Sequence, residues 1–150
     1  MSKVLTFGES VTISGELAAI WETQTDVRSW PQWDPHIEDA GFDGPFEPGS
    51  EGWTKPKGAP KGPFRLVSVD PERSYCTESK LPMGKMVIVN RYEPAGPGRV
   101  RVTRDVEVHG GFAPMFKRFF MKGMQRDIPG SIAALEHEAN RRTTGAGGGR

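Results

Sequence analysis

Apolar residues fall at every second position over Val4–Ile13, where Leu5, Phe7, Val11 and Ile13 share one face and the positions between are mostly small or polar. Such alternation marks a half-buried strand. Leu17, Ile20 and Trp21 then recur at helical spacing and predict a short amphipathic helix from Gly15 to about Thr23, with Ser14 as its N-cap. Thr25 or Asp26 can cap one further turn. The stretch DVRSWPQWDP, Asp26–Pro35, reads as a loop that ends this second helix, because Pro31 and Pro35 interrupt regular helix and central strand alike. Strand signals return at Ile37–Phe42, Glu51–Pro56, Phe64–Asp70, Ser74–Leu81, Lys85–Glu93 and Arg99–His109, separated by turn clusters such as Asp43-Gly44-Pro45, Pro82-Met83-Gly84 and Pro94-Ala95-Gly96-Pro97-Gly98. Hairpin connections make consecutive strands antiparallel. From Phe112 to about Arg142 the period becomes helical. Phe112, Phe116, Phe119, Phe120 and Gly123 form one face, continued by Ile128, Ile132, Leu135 and Ala139. Pro129-Gly130 is predicted to kink or split this segment, which would otherwise span about 45 Å. A helix of that length after a meander packs across the face of a sheet, so the fold class is α+β.

Composition narrows the function more than the fold. The 150 residues carry 20 basic and 19 acidic side chains, a net charge of +1, which gives no electrostatic argument for nucleic acid or for an anionic membrane surface. The single cysteine, Cys76, excludes an internal disulfide and a Cys-rich metal site, and a cytoplasmic location is expected. Met1–Thr6 has no signal-like apolar run, and no stretch approaches the roughly 20 apolar residues of a membrane span. One domain is expected over residues 1–142, followed by a disordered Gly-rich tail over 143–150.

The element order is one strand, two short helices, six strands and a long C-terminal helix. With the motifs Ile20-Trp21, Thr25-Asp26-Val27, Trp30-Pro31-Gln32-Trp33-Asp34-Pro35, Gly44-Pro45-Phe46, Gly49-Ser50 and Asp127-Ile128-Pro129 followed by Leu135, the chain resembles the START-related helix-grip superfamily (SRPBCC), in its polyketide cyclase/dehydrase-like branch. The resemblance covers residues 3 to 140. Ser14-Gly15 departs from it, since relatives carry a small residue and proline there. The resemblance implies a seven-stranded curved antiparallel sheet wrapped around the long C-terminal helix, with two short helices after the first strand. It also implies a deep apolar cavity between sheet and helix, and a first strand that neighbours the last.

Two inward charges stand out against that frame. On the last strand Val100, Val102, Val106 and Val108 share a face with Arg104, and on the first strand Glu9 lies in the middle of the apolar face. Pairing Ile13 with Val100 and Leu5 with Val108 sets Glu9 opposite Arg104, and a one-residue slip would set inward against outward positions. A buried Glu9–Arg104 ion pair that only fixes register and a polar anchor for a ligand both fit this placement. On the sixth strand Met86, Ile88, Asn90 and Tyr92 form the preferred inward set, with the valines between them as the alternative; Thr77 and Ser79 on the fifth are possible additions. Phe116, Phe119 and Phe120 are candidates for the cavity roof, together with nearby methionines. Trp30 or Trp33 is expected to line the entrance.

His36, His109 and His137 are isolated, no metal-ligand spacing is present, and neither a nucleophile elbow nor a phosphate loop occurs. No cofactor is implied. The leading expectation is therefore binding of a small hydrophobic or aromatic ligand, polyketide-, lipid- or quinone-like, by a monomer or homodimer without nucleic acid. The resemblance also allows a polyketide cyclase/aromatase-type enzyme promoting aldol cyclisation or dehydration, with Arg104 and Tyr92 or Asn90 polarising a carbonyl. A third possibility is a protein-interaction module whose cavity is filled by side chains.

Overall fold

A computed structural model describes the backbone of residues 4–148 and the side chains of residues 4–144. Its elements are β1 (Val4–Ser14), α1 (Leu17–Thr25), a 3-10 turn (Val27–Ser29), α2 (Trp30–Trp33), β2 (Ile37–Phe42), β3 (Glu51–Pro56), β4 (Gly62–Asp70), β5 (Ser74–Leu81), β6 (Gly84–Pro94), β7 (Arg99–Gly110), α3 (Ala113–Phe119) and α4 (Met121–Gly148). The strands form one curved sheet in the order β1-β7-β6-β5-β4-β3-β2, with every neighbouring pair antiparallel. This is the helix-grip architecture expected from the sequence.

The meander from β2 to β7 is joined by hairpins, and β1 closes on β7 in the expected register, Leu5 with Val108, Glu9 with Arg104 and Ile13 with Val100. Two-residue alternation then sends Val100, Val102, Val106 and Val108 into the core, where all are buried. Val67 follows the buried Leu66 and faces outward by alternation, and the bulge between Leu66 and Ser68 then shifts the phase so that Val69 rather than Ser68 packs against the core. Ile128, Ile132, Leu135 and Ala139 bury one stripe of α4 against β1 and α1.

Four local expectations are corrected. Ser14 is not a helix cap but the last residue of β1. Its N–H and hydroxyl both donate to Glu136 on α4, at 2.7 and 3.0 Å, and α1 starts after Glu16 without a side-chain cap. The Trp/Pro stretch is not a loop but a 3-10 turn followed by a short helix, because Pro31 falls in the first helical turn, where its missing N–H costs nothing. The C-terminal segment divides at Phe120 (φ −123°) rather than at Pro129, which lies inside α4. The helix also continues to Gly148, beyond the boundary expected at residue 142, while residues 149 and 150 of the expected tail lie outside the described residues.

At the hairpin between β5 and β6, Met83 adopts a left-handed backbone (φ 59°). The neighbouring strand ends pass so close that a Cβ on Gly84 would stand 1.8 Å from the His109 carbonyl oxygen. Glycine at position 84 is therefore what lets the hairpin seat against the end of β7.

Candidate functional site

Register and alternation place inward side chains in rows across β1, β7, β6 and β5. The central row is Glu9, Arg104, Asn90 and Tyr75. Every member is polar, although β1 and β7 are otherwise apolar on this face. Toward the α1 end the rows are Val11, Val102 and Tyr92, then Ile13 and Val100. Toward the α3 end they are Phe7, Val106, Ile88 and Thr77, then Leu5, Val108, Met86 and Ser79. The interior thus has a polar belt between two apolar zones.

Arg104 Nε donates to Asn90 Oδ1 at 2.8 Å, and Asn90 is 2% exposed. Glu9 faces Arg104 across the β1–β7 ladder, but the expected ion pair does not form. Glu9 Oε1 instead accepts from Gln125 Nε2 of α4 at 3.4 Å. Arg104 stands between two strands, and its guanidinium leans toward β6, where a neutral amide oxygen meets it without desolvating a second charge. Among the described residues no carboxylate comes within ion-pair distance of Arg104.

Tyr75 and Tyr92 stack with ring centroids 6.3 Å apart, and Trp21 meets both edge-to-face at 6.1 and 5.5 Å. Burial pushes both phenols above their ordinary range, Tyr92 well above; the Tyr75 phenol adds to the effect on Tyr92, and the Arg104 charge opposes it at both. Both rings are therefore neutral hydrogen-bond donors at physiological pH. Tyr92 Oη is buried without a hydrogen-bond partner, as is Gln24 Oε1. A buried hydroxyl without a partner is a group that a bound oxygen or nitrogen would satisfy.

Met86, Ile88, Asn90 and Tyr92 do form the inward face of β6. Phe116 is buried and stacks on Phe7 at 6.1 Å, in the apolar zone toward α3. Phe119 and Phe120 do not roof the interior, as both are exposed. Phe120 still meets the Phe116 ring, with centroids 5.6 Å apart, but from a position half in solvent. Neither tryptophan of α2 lies on the polar row. Trp30 stacks on Phe64 of β4 at 6.1 Å and donates its indole N–H to the Gln24 carbonyl, and Trp33 donates to Ser29 Oγ, both at 2.9 Å. Trp30 thus packs α2 against β4, and Trp33 ties it to the preceding turn. The tryptophan against the interior phenols is Trp21, which the sequence marks only as helix face. Tyr75 was readable from the parity of Thr77 and Ser79, whereas Gln125 carries no signal in a single sequence.

An open groove of about 750 Å³ lies at the α1 rim, lined by Leu17, Pro71–Ser74 and Arg91–Pro94. Most of its lining is exposed, and Arg91 is already held by Asp105 at 2.5 Å. The convergent, desolvated polar groups belong to the central row, so chemistry favours the interior over this open groove. Among the described residues, no three His, Cys, Asp or Glu side chains converge as metal ligands, and no helix is long and apolar enough to cross a membrane.

The fold has many solved counterparts. Norcoclaurine synthase from Thalictrum flavum, in complex with dopamine and hydroxybenzaldehyde, superposes with a TM-score of 0.73 at 12% identity, over 93% of this chain and 88% of that one. A START superfamily protein from Mycobacterium smegmatis gives 0.70 at 16% identity, over 91% and 97%. A Streptomyces aromatase/cyclase gives 0.69 at 14% identity, over 94% and 96%. At such identities the likeness establishes the fold alone. No curated protein matches the sequence. Residues 5–140 match the family described as polyketide cyclase / dehydrase and lipid transport, and with nearly the whole chain covered, this protein belongs to that family.

Proposed function

We propose that this protein binds a small, mainly apolar molecule, polyketide-, lipid- or quinone-like, that carries an oxygen-rich or anionic group. The carrying observation is Arg104. Its guanidinium faces the interior with a neutral amide as its partner and no carboxylate at ion-pair distance. A cation so placed favours an anionic or strongly polar ligand group over solvent-poor surroundings. Asn90 orients it, the neighbouring Tyr75 and Tyr92 hydroxyls add polar groups, and Phe7, Met86, Ile88 and Phe116 offer the apolar surface beside it. The names of the fold relatives, which include an aromatase/cyclase, are compatible with ligands of this class.

The test is a fluorescence titration with hydroxylated polycyclic aromatics and quinones, preceded by native mass spectrometry of the purified protein. Trp21, edge-on to both phenols, is the expected reporter. Arg104→Met should weaken binding about tenfold or more while keeping the circular dichroism spectrum, the loss of one charge-assisted hydrogen bond. Unchanged affinity in a folded variant would sink the assignment. No response across the panel would move the function to protein interaction.

Glu9 favours a second reading. It is an inward carboxylate on the same row, not neutralised by Arg104. With Arg104 polarising a carbonyl and Glu9 accepting a proton from the adjacent carbon, the row has the two groups an aldol cyclisation needs. Glu9→Gln separates the readings: loss of cyclised product with binding retained indicates an enzyme.

A further inference from the structure

The α3 end of the molecule carries an apolar surface that the interior does not account for. Met83 is 75% exposed, Phe119 65%, Met115 54% and Phe120 51%. These side chains gather around the start of α3 and its end. Phe112 and Phe120 lie 6.2 Å apart, Met83 packs over Gly111, and Met115 and Phe119 stand one turn apart on α3. Four large apolar side chains in one place, each more than half exposed, exceed the scattered exposure of an ordinary surface.

Charge at this end has one sign. Gly110–Arg126 contains four basic residues and no acidic one, which leaves 16 basic and 19 acidic residues for the rest of the chain. Lys117, Arg118 and Lys122 are exposed around the phenylalanines, and the Arg118 guanidinium lies 5.5 Å from the Phe119 ring centre. Of the nearby acids, Asp127 is held by Arg126 and Glu78 faces Lys85, while Glu107 bonds to the His109 ring. Exposed aromatics ringed by unopposed cations are the chemistry of a surface that inserts shallowly into an anionic bilayer.

We infer that Met83, Met115, Phe119 and Phe120, with Lys117, Arg118 and Lys122, form a docking surface for anionic membranes. A protein partner would need an acidic, concave counterpart. An anionic bilayer meets exposed apolar side chains with basic neighbours directly. The surface also joins the interior, since Phe120 contacts Phe116 at 5.6 Å and Phe116 stacks on Phe7 at 6.1 Å. An apolar molecule leaving the bilayer would thus follow aromatic rings inward. That route rests on the proposed ligand reading; the docking does not, and it is scored without ligand.

The test is co-sedimentation of the full chain with sucrose-loaded vesicles, either pure phosphatidylcholine or with about a third phosphatidylglycerol. Anionic lipid should raise the bound fraction at least tenfold at low salt, with loss at high salt. Phe119→Asp and the pair Lys117→Glu with Lys122→Glu should each return binding to the neutral-lipid level, with unchanged circular dichroism and thermal midpoint. Absence of binding to anionic vesicles, or equal binding by both variants, would overturn the inference. A dimer in solution that Phe119→Asp dissociates, without vesicle binding, would assign the face to a second copy and overturn it too.

Discussion

The two ends of the interior are built from the same residue class and treat it in opposite ways. At the α1 end Trp21, Phe46, Tyr75 and Tyr92 pack edge-to-face and stacked, and Tyr92 is 1% exposed. At the α3 end Phe119 and Phe120 face outward, three and four residues beyond a buried Phe116. Sequence spacing alone treats these phenylalanines as equivalent. The difference lies in what covers each helix: Trp21 on α1 meets Phe46, Tyr75 and Tyr92, whereas Phe119 and Phe120 are left more than half in solvent. Apolar character therefore does not decide burial here. What packs over each ring does.

The contrast breaks most visibly at Trp21. Trp21→Ala should destabilise the protein by about 3 kcal/mol in urea unfolding followed by circular dichroism, because three aromatic partners lose their contact. A loss below about 1 kcal/mol would mean the closed end is loosely packed. A smaller effect is expected at Glu138, which is buried on α4 and bound by Arg141 and Arg142, the latter also reaching Asp26 after α1. These arginines hold the Glu138 carboxyl at about 2, below its usual 4.5. A lowered carboxyl pKa stabilises the fold above the unfolded value and loses that contribution as pH falls through the folded one. Stability should therefore decline between about 4.5 and about 2, and Glu138→Gln should flatten that part of the profile while lowering stability at neutral pH. The smallest effect belongs to the open end: Phe119→Ala should fall within about 0.5 kcal/mol of wild type, since the ring is mostly in solvent. A large loss there would place Phe119 in the core after all.

Much of the fold was legible in the sequence, and the limits have physical causes. Strand periodicity carried the meander because a half-buried strand must alternate, and the β1–β7 register followed from matching inward apolar positions. Glu9 and Arg104 stand opposite each other, as that matching requires, yet they do not pair. Facing positions share a ladder rung, but Arg104 has a second rung-mate in Asn90, and rotamer choice decides between them. Pro31 and Pro129 misled in opposite directions. Proline in a first turn is compatible with helix, and proline inside α4 did not end it, whereas the true break at Phe120 carries no glycine or proline. The interior role of Trp21 was hidden because helical spacing reports that a residue is inward, not which residues it meets.

The pairing of β1 with β7 also bears on how the chain reaches this state. Six strands can zip hairpin by hairpin, each contact bringing together neighbours in sequence. The first strand cannot: its Ser10 hydroxyl meets that of Thr103 across 93 positions. Closing a loop of that length costs about 4 kcal/mol in chain entropy, recovered only once the whole ladder forms. The strand synthesised first is thus the one whose place exists only after the seventh has formed. Until then its inward face, Leu5, Phe7, Val11 and Ile13, has no sheet to cover it.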